Sequence, residues 1–126
     1  MASKKYREAR PYEERYDSFK KIKKLHPDKI PIICLSSLNN CFEGYENACY
    51  KLLVPREKIF MEFIYLLRKK IKLKSYQALI VLVNGTHLPM ASMTIAEVYE
   101  QYVENEGILN DGFLYLEFCN ENVFGE

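Results

Sequence analysis

At 126 residues, with 48% hydrophobic and 28% charged side chains, the chain suits a single domain burying about two-thirds of its unfolded surface, and is too apolar to be disordered. No apolar run approaches the roughly 20 residues that a membrane span needs, and no apolar stretch follows the basic start at residues 1–7, so neither a span nor secretion is expected. The net charge of +1 conceals a split: all 18 Lys and Arg lie in residues 1–74 with 9 of the 17 acids, giving +9 there and −8 in the remainder. Complementary faces that meet in the fold, a basic surface for an acidic partner, and solvated helix faces all fit this split. Cys34, Cys41, Cys49 and Cys119 are expected to be reduced. Their spacing is not that of zinc ligands, and His26 and His87 stand in no repeating relation to them, so no metal and no cofactor are expected.

Ser3 to Arg10 is short and basic, either a further helical turn or an arm. Tyr12, Tyr16, Phe19 and Ile22 form a helical stripe within residues 12–25, with Pro11 where a first turn tolerates it and Pro27 as the stop. Residues 30–35 read as a strand in which Pro31, lacking an N–H, belongs at the start or on an edge. Residues 39–46, with Gly44, read as a turn, and residues 51–54 as a second strand closed by Pro55. Phe60, Phe63, Ile64, Leu67 and Ile71 make the strongest helical stripe of the chain, opposite Arg68, Lys69 and Lys72. The continuous apolar run 78–83 suggests a central strand buried on both faces, followed by an Asn84-Gly85 turn. Thr94 and Glu97 fit a capping box for a short helix through Tyr102, and residues 113–119 read as a last strand.

The order is helix, strand, strand, helix, strand, short helix, strand. That is the order of an α+β β-grasp, in which one helix packs across a mixed sheet. The expected organisation is a helical extension over residues 1–29, a β-grasp core over 30–119 and a tail over 120–126.

Eight segments then carry a resemblance: Arg10-Pro-Tyr-Glu-Glu-Arg15, His26-Pro-Asp-Lys-Ile-Pro-Ile-Ile33, Lys51-Leu-Leu-Val-Pro55, Ile64-Tyr-Leu-Leu-Arg-Lys-Lys-Ile71, Leu82-Val-Asn84, Val98-Tyr-Glu100, Gly112-Phe-Leu-Tyr115 and Asn122-Val-Phe-Gly125. In this order, and spanning nearly the whole chain, they resemble the autophagy ubiquitin-like modifiers, which include the light chain 3 and GABA-receptor-associated proteins. The resemblance implies a ubiquitin-like β-grasp with a helical N-terminal extension and no catalytic residues of its own. It implies cleavage after Gly125 by a cysteine protease that recognises Phe124 and removes Glu126. E1-like and E2-like enzymes then transfer the new carboxylate to phosphatidylethanolamine. A glycine end suits this chemistry, because without a Cβ it threads a narrow enzyme cleft in extended form.

The resemblance also implies that cargo receptors bind through short aromatic-x-x-aliphatic peptides that add a strand to the edge at residues 51–54. The aromatic pocket maps onto Ile22, Pro31, Ile33, Lys51, Leu53 and Phe113. The aliphatic pocket maps onto Leu52, Val54, Pro55, Phe63, Leu66 and Leu67, residues that pattern alone would place in the core. Lys29 and Lys70 would meet acidic residues flanking the peptide. The implied location is the cytoplasm, and the autophagosomal membrane once lipid is attached. Three features depart from the family: Lys58 where an aliphatic residue is usual, Leu52 for an aromatic, and Ser18 where relatives often carry an acid. The stretch 103–111 is also longer than the family's short acidic link. The competing reading is a scaffold that is never conjugated, binding acidic tubulin tails through Lys4, Lys5, Arg7, Arg10, Arg15, Lys20, Lys21, Lys23 and Lys24. Nucleic acid is not an expected partner, because the basic region lacks interleaved aromatic residues.

Overall fold

The computed structural model describes residues 1–38, 41–105 and 110–120. In chain order the elements are α1 (Ala2–Glu8), α2 (Tyr12–Leu25), β1 (Lys29–Ser36), β2 (Cys49–Pro55), α3 (Phe60–Lys70), β3 (Ile80–Val83), α4 (Ile95–Tyr99), a π-helical turn (Glu100–Glu104) and β4 (Leu114–Cys119). The basic N-terminal stretch is therefore a helix. Pro11 precedes α2, Glu13 and Glu14 occupy its first turn, and Lys23 and Lys24 its last, each opposite in sign to the partial charge of the nearer helix end.

The four strands form one sheet in the order β2-β1-β4-β3. β1 pairs antiparallel with β2 and parallel with β4, and β3 pairs antiparallel with β4. Long-range parallel pairing of β1 and β4 makes these two the central strands, with every residue of β4 buried. The run 78–83 was expected to be central, and the structure places β3 at an edge instead. An apolar run reports burial, not sheet position: Val81 and Val83 are buried because they face the core beneath α3. Pro31 lies one residue before the β1–β4 ladder starts at Ile32↔Leu114, near the strand start as its missing N–H requires. The capping box at Thr94 forms, with Glu97 N–H donating to Thr94 Oγ1 at 3.1 Å and Thr94 N–H to Glu97 Oε1 at 2.8 Å. The α-helix it starts stops at Tyr99, and the π turn carries the chain past Tyr102.

Two apolar layers lie on opposite faces of the sheet. On one, Phe60, Phe63, Leu67 and Ile71 of the α3 stripe meet Ile30, Ile32 and Cys34 of β1 and Leu114, Leu116 and Phe118 of β4. Each such side chain contributes about 1.5–3 kcal/mol by leaving water. On the other, Ile33, Leu35, Phe113 and Tyr115 are covered by Ala2 and Tyr6 of α1 and by Phe19 and Ile22 of α2. Alternate residues of β1 and β4 thus feed different layers, which is why both strands are apolar without alternation. Among the described residues no helix is long and apolar enough to cross a membrane.

Candidate functional site

The second layer is tied down by polar contacts that cross the charge split of the sequence. Asp111, 1% exposed, accepts from Arg15 Nη1 at 2.6 Å, from the Tyr115 hydroxyl at 2.5 Å and from Phe113 N–H at 3.0 Å. Burial, reinforced by the Asp111 carboxylate, pushes the Tyr115 hydroxyl far above the ordinary tyrosine range, so it remains a donor. The Tyr99 hydroxyl donates to Gly112 O at 2.7 Å and is itself pushed up to about 12, mainly by burial. At the far end of β4 the buried Glu117 accepts from both Ser3 N–H (2.9 Å) and Ser3 Oγ (2.7 Å), anchoring the start of α1.

Gly112 sets how closely α2 approaches. Its φ of +98° lies in the left-handed region, and a Cβ there would sit 2.3 Å from the Phe19 ring. Without that Cβ, Phe19 seats against the backbone and meets Phe113 edge to face, centroids 5.7 Å apart. The next turn of α2 then stands off the sheet. Between them is a cavity of about 380 Å³ lined from α2 by Ser18, Ile22 and Leu25, from β1 by Pro31, Ile32 and Ile33, from β2 by Lys51, Leu52 and Leu53, and by Phe113. Tyr6, Arg10, Glu14, Arg15 and His26 complete its wall.

All six residues assigned by resemblance to the aromatic pocket, Ile22, Pro31, Ile33, Lys51, Leu53 and Phe113, line this one cavity. It opens beside β2, which among the described residues pairs with β1 alone and so forms an edge of the sheet. Lys51 is exposed and Leu53 is 37% exposed. The residues assigned to the aliphatic pocket are distributed differently. Val54, Phe63 and Leu67 are at most 3% exposed and belong to the α3 layer, Leu52 and Pro55 are half-buried, and Leu66 is 51% exposed. Lys58 is exposed nearby. Lys70 Nζ stands 5.2 Å from the Tyr50 ring centroid, while Lys29 opens β1 opposite Pro55. Phe124, Gly125 and Glu126 lie outside the described residues, as do residues 106–109 of the longer link and 39–40 of the turn.

The cavity wall contributed by Tyr6, Arg10, Leu25 and His26 was not singled out by the sequence reading. The signal was present for part of it: Leu25 and His26 follow Ile22 at three and four positions on the α2 face. Tyr6 and Arg10 belong to a stretch whose apolar content is too low to set a helical period. The Cys34 and Cys119 thiols are buried, and burial pushes both up, Cys119 to about 11, which opposes thiolate formation at these two positions.

A mixed four-stranded sheet with one helix across its core face, and two further helices on the other, defines the class as a ubiquitin-like fold with an N-terminal helical addition. The comparisons agree. The family described as autophagy protein Atg8, ubiquitin-like, matches residues 14–125. Autophagy-related protein 8 of Gibberella zeae is 30% identical over 122 residues, covering 97% of each chain. That of Candida albicans is 32% identical over 121 residues, covering 96% of this chain and 84% of its own. The crystal structure of Trypanosoma brucei ATG8 superposes with a TM-score of 0.77 at 36% identity, over 96% of this chain and 97% of that one. The chain belongs to the Atg8 family of autophagy ubiquitin-like proteins.

Proposed function

We propose that the chain is a conjugated modifier of autophagy, cleaved after Gly125 and joined through that glycine to phosphatidylethanolamine, and that its α2–β2 groove recruits receptors carrying aromatic-x-x-aliphatic peptides. Hydrolysis of the Gly125–Glu126 bond by a processing cysteine protease releases glutamate and creates the carboxylate. E1-like and E2-like enzymes activate it and pass it to the lipid amine as an amide. The chain's own part is to present the tail and to select partners.

The observation that carries the docking half of this reading is the convergence of the six aromatic-pocket residues on one cavity beside a strand edge. An extended peptide paired with β2 gains main-chain hydrogen bonds and seats an aromatic side chain between Ile22 and Phe113. Lys51, Arg10 and His26 at the wall favour a peptide with acidic neighbours, and each exposed pair contributes about 0.2–1 kcal/mol. Leu66, Leu52 and Pro55 offer the accessible surface for the aliphatic residue, over a floor of Val54, Phe63 and Leu67.

Intact mass after incubation with the family's processing protease tests the conjugation half. Loss of Glu126 alone, abolished in Gly125→Ala, is expected; an unchanged mass would favour the unconjugated scaffold.

A further inference from the structure

A second cavity, of about 240 Å³, lies on the same side of the sheet between α1 and the start of β2. Its lining includes Lys5 and Ala9 of α1, Leu35 of β1, Leu38, Asn47 and Cys49. Tyr6 and Arg10 line both cavities and form the partition between them. The Arg10 guanidinium lies over the Tyr6 ring, 3.8 Å from its centroid, and donates to Tyr6 O at 3.4 Å. The two cavities thus adjoin across a stacked Tyr–Arg pair, the second lying further toward the start of β2.

Strand register says what could reach it. Leu35↔Cys49, Ile33↔Lys51 and Pro31↔Leu53 are cross-strand pairs, and Ile33 and Leu35 face the helix-covered layer. Cys49, Lys51 and Leu53 therefore share that face, with Cys49 in the second cavity and the other two in the first. On a strand added to β2, every second side chain points to this face, about 6.7 Å apart. With an aromatic residue level with residues 51–53, the residue two positions away passes over the Tyr6–Arg10 partition. The residue four positions away arrives over Asn47 and Cys49. Because the aliphatic end of the motif lies toward Val54 and Pro55, the peptide runs in the direction of β2, and the second cavity faces its N-terminal side.

We propose that the second cavity is a further specificity pocket, taking an aliphatic side chain four positions ahead of the aromatic residue on the same peptide. The inference rests on the docking reading given above. The hollow is smaller than the first, lined by the buried Leu35 and the exposed Ala9, and no carboxylate lines it among the described residues. Lys5 and Arg10 at its rim complement an acidic residue at the intervening position.

The test compares two synthetic peptides of the form X-x-Glu-x-Trp-x-x-Leu, with X either leucine or alanine, by fluorescence anisotropy on the full chain. The leucine peptide is expected to bind about tenfold more tightly, as one aliphatic side chain leaves water. That advantage should vanish in Cys49→Phe and in Ala9→Leu, which fill the hollow from β2 and from α1, while thermal melts report whether each variant folds. Equal affinities for the two peptides would overturn the proposal, and so would an advantage that persists in both folded variants. Failure of both peptides to bind the native chain would overturn the docking reading itself, and this inference with it.

Discussion

The two faces of the sheet are held by different physics. Beneath α3 the layer is built from Phe60, Phe63, Leu67 and Phe118 with sheet residues equally buried, and apolar burial supplies its cohesion. Under α1 and α2 the layer is smaller, and it depends on Asp111, Glu117, Arg15 and Ser3, on the close approach at Gly112 and on a Tyr–Arg stack. α2 itself has no fully buried residue, and Tyr12 and Tyr16 stack on each other while about 40% exposed. A layer that is incompletely filled leaves cavities, and the two cavities described above lie there. The first face makes the fold stable; the second leaves room for a ligand.

The largest expected effect tests the first face. Phe118→Ala, at a fully buried site, should lower the unfolding free energy by about 3–5 kcal/mol in a denaturant titration. A loss below about 1 kcal/mol would mean that this layer does not dominate stability. Arg15→Gln leaves the Asp111 carboxylate buried without its cation and should cost about 3 kcal/mol, with peptide affinity falling alongside because α2 is no longer pinned beside Phe113. If stability fell while affinity held, the clamp would be structural only. Gly112→Ala forces both a strained φ and a clash with Phe19, and should cost about 2 kcal/mol, most of it expressed as displacement of α2 and loss of Phe19–Phe113 contacts in NMR spectra.

A fourth prediction uses pH. Tyr99 titrates near 12 in the fold against about 10 in the unfolded chain, so the neutral hydroxyl favours the native state. Its contribution is fully present below pH 10 and is lost as pH rises toward 12. Denaturant midpoints should fall across that window, and Tyr99→Phe should flatten the fall there. The smallest expected change in stability is for Leu53→Ala, within about 0.5 kcal/mol because the side chain is partly exposed. Its peptide affinity should nonetheless drop about fivefold, the clearest separation of site from scaffold.

Much of this was legible in the residues. The α3 stripe from Phe60 to Ile71 and the Thr94–Glu97 capping box are local signals with a fixed period or spacing, and both appear where expected. The resemblance also implied an aromatic pocket at Ile22, Pro31, Ile33, Lys51, Leu53 and Phe113; these residues share one cavity, and its use by a peptide stays a proposal. The second cavity was not legible. Its wall combines Lys5 and Ala9 with Leu35, Asn47 and Cys49, residues brought together only by the docking of α1 on the sheet.

By itself, the sequence determined the order of the strands and of the helices from α2 onward, the core side of α3 and the family, because periodicity, caps and motif text are properties of neighbouring residues; that residues 2–8 are a helix and that the helix from Ile95 gives way to a π turn after Tyr99 came from the structure. Tertiary structure decided that β3 sits at an edge while β1 and β4 are central, and it brought together Arg15 with Asp111 and Ser3 with Glu117, pairs separated by 96 and 114 positions. It also decided how far α2 stands from β2, and hence the size of the groove. These follow from loop closure and competitive burial among distant segments, and no local pattern encodes which of several apolar strands will be covered on both sides.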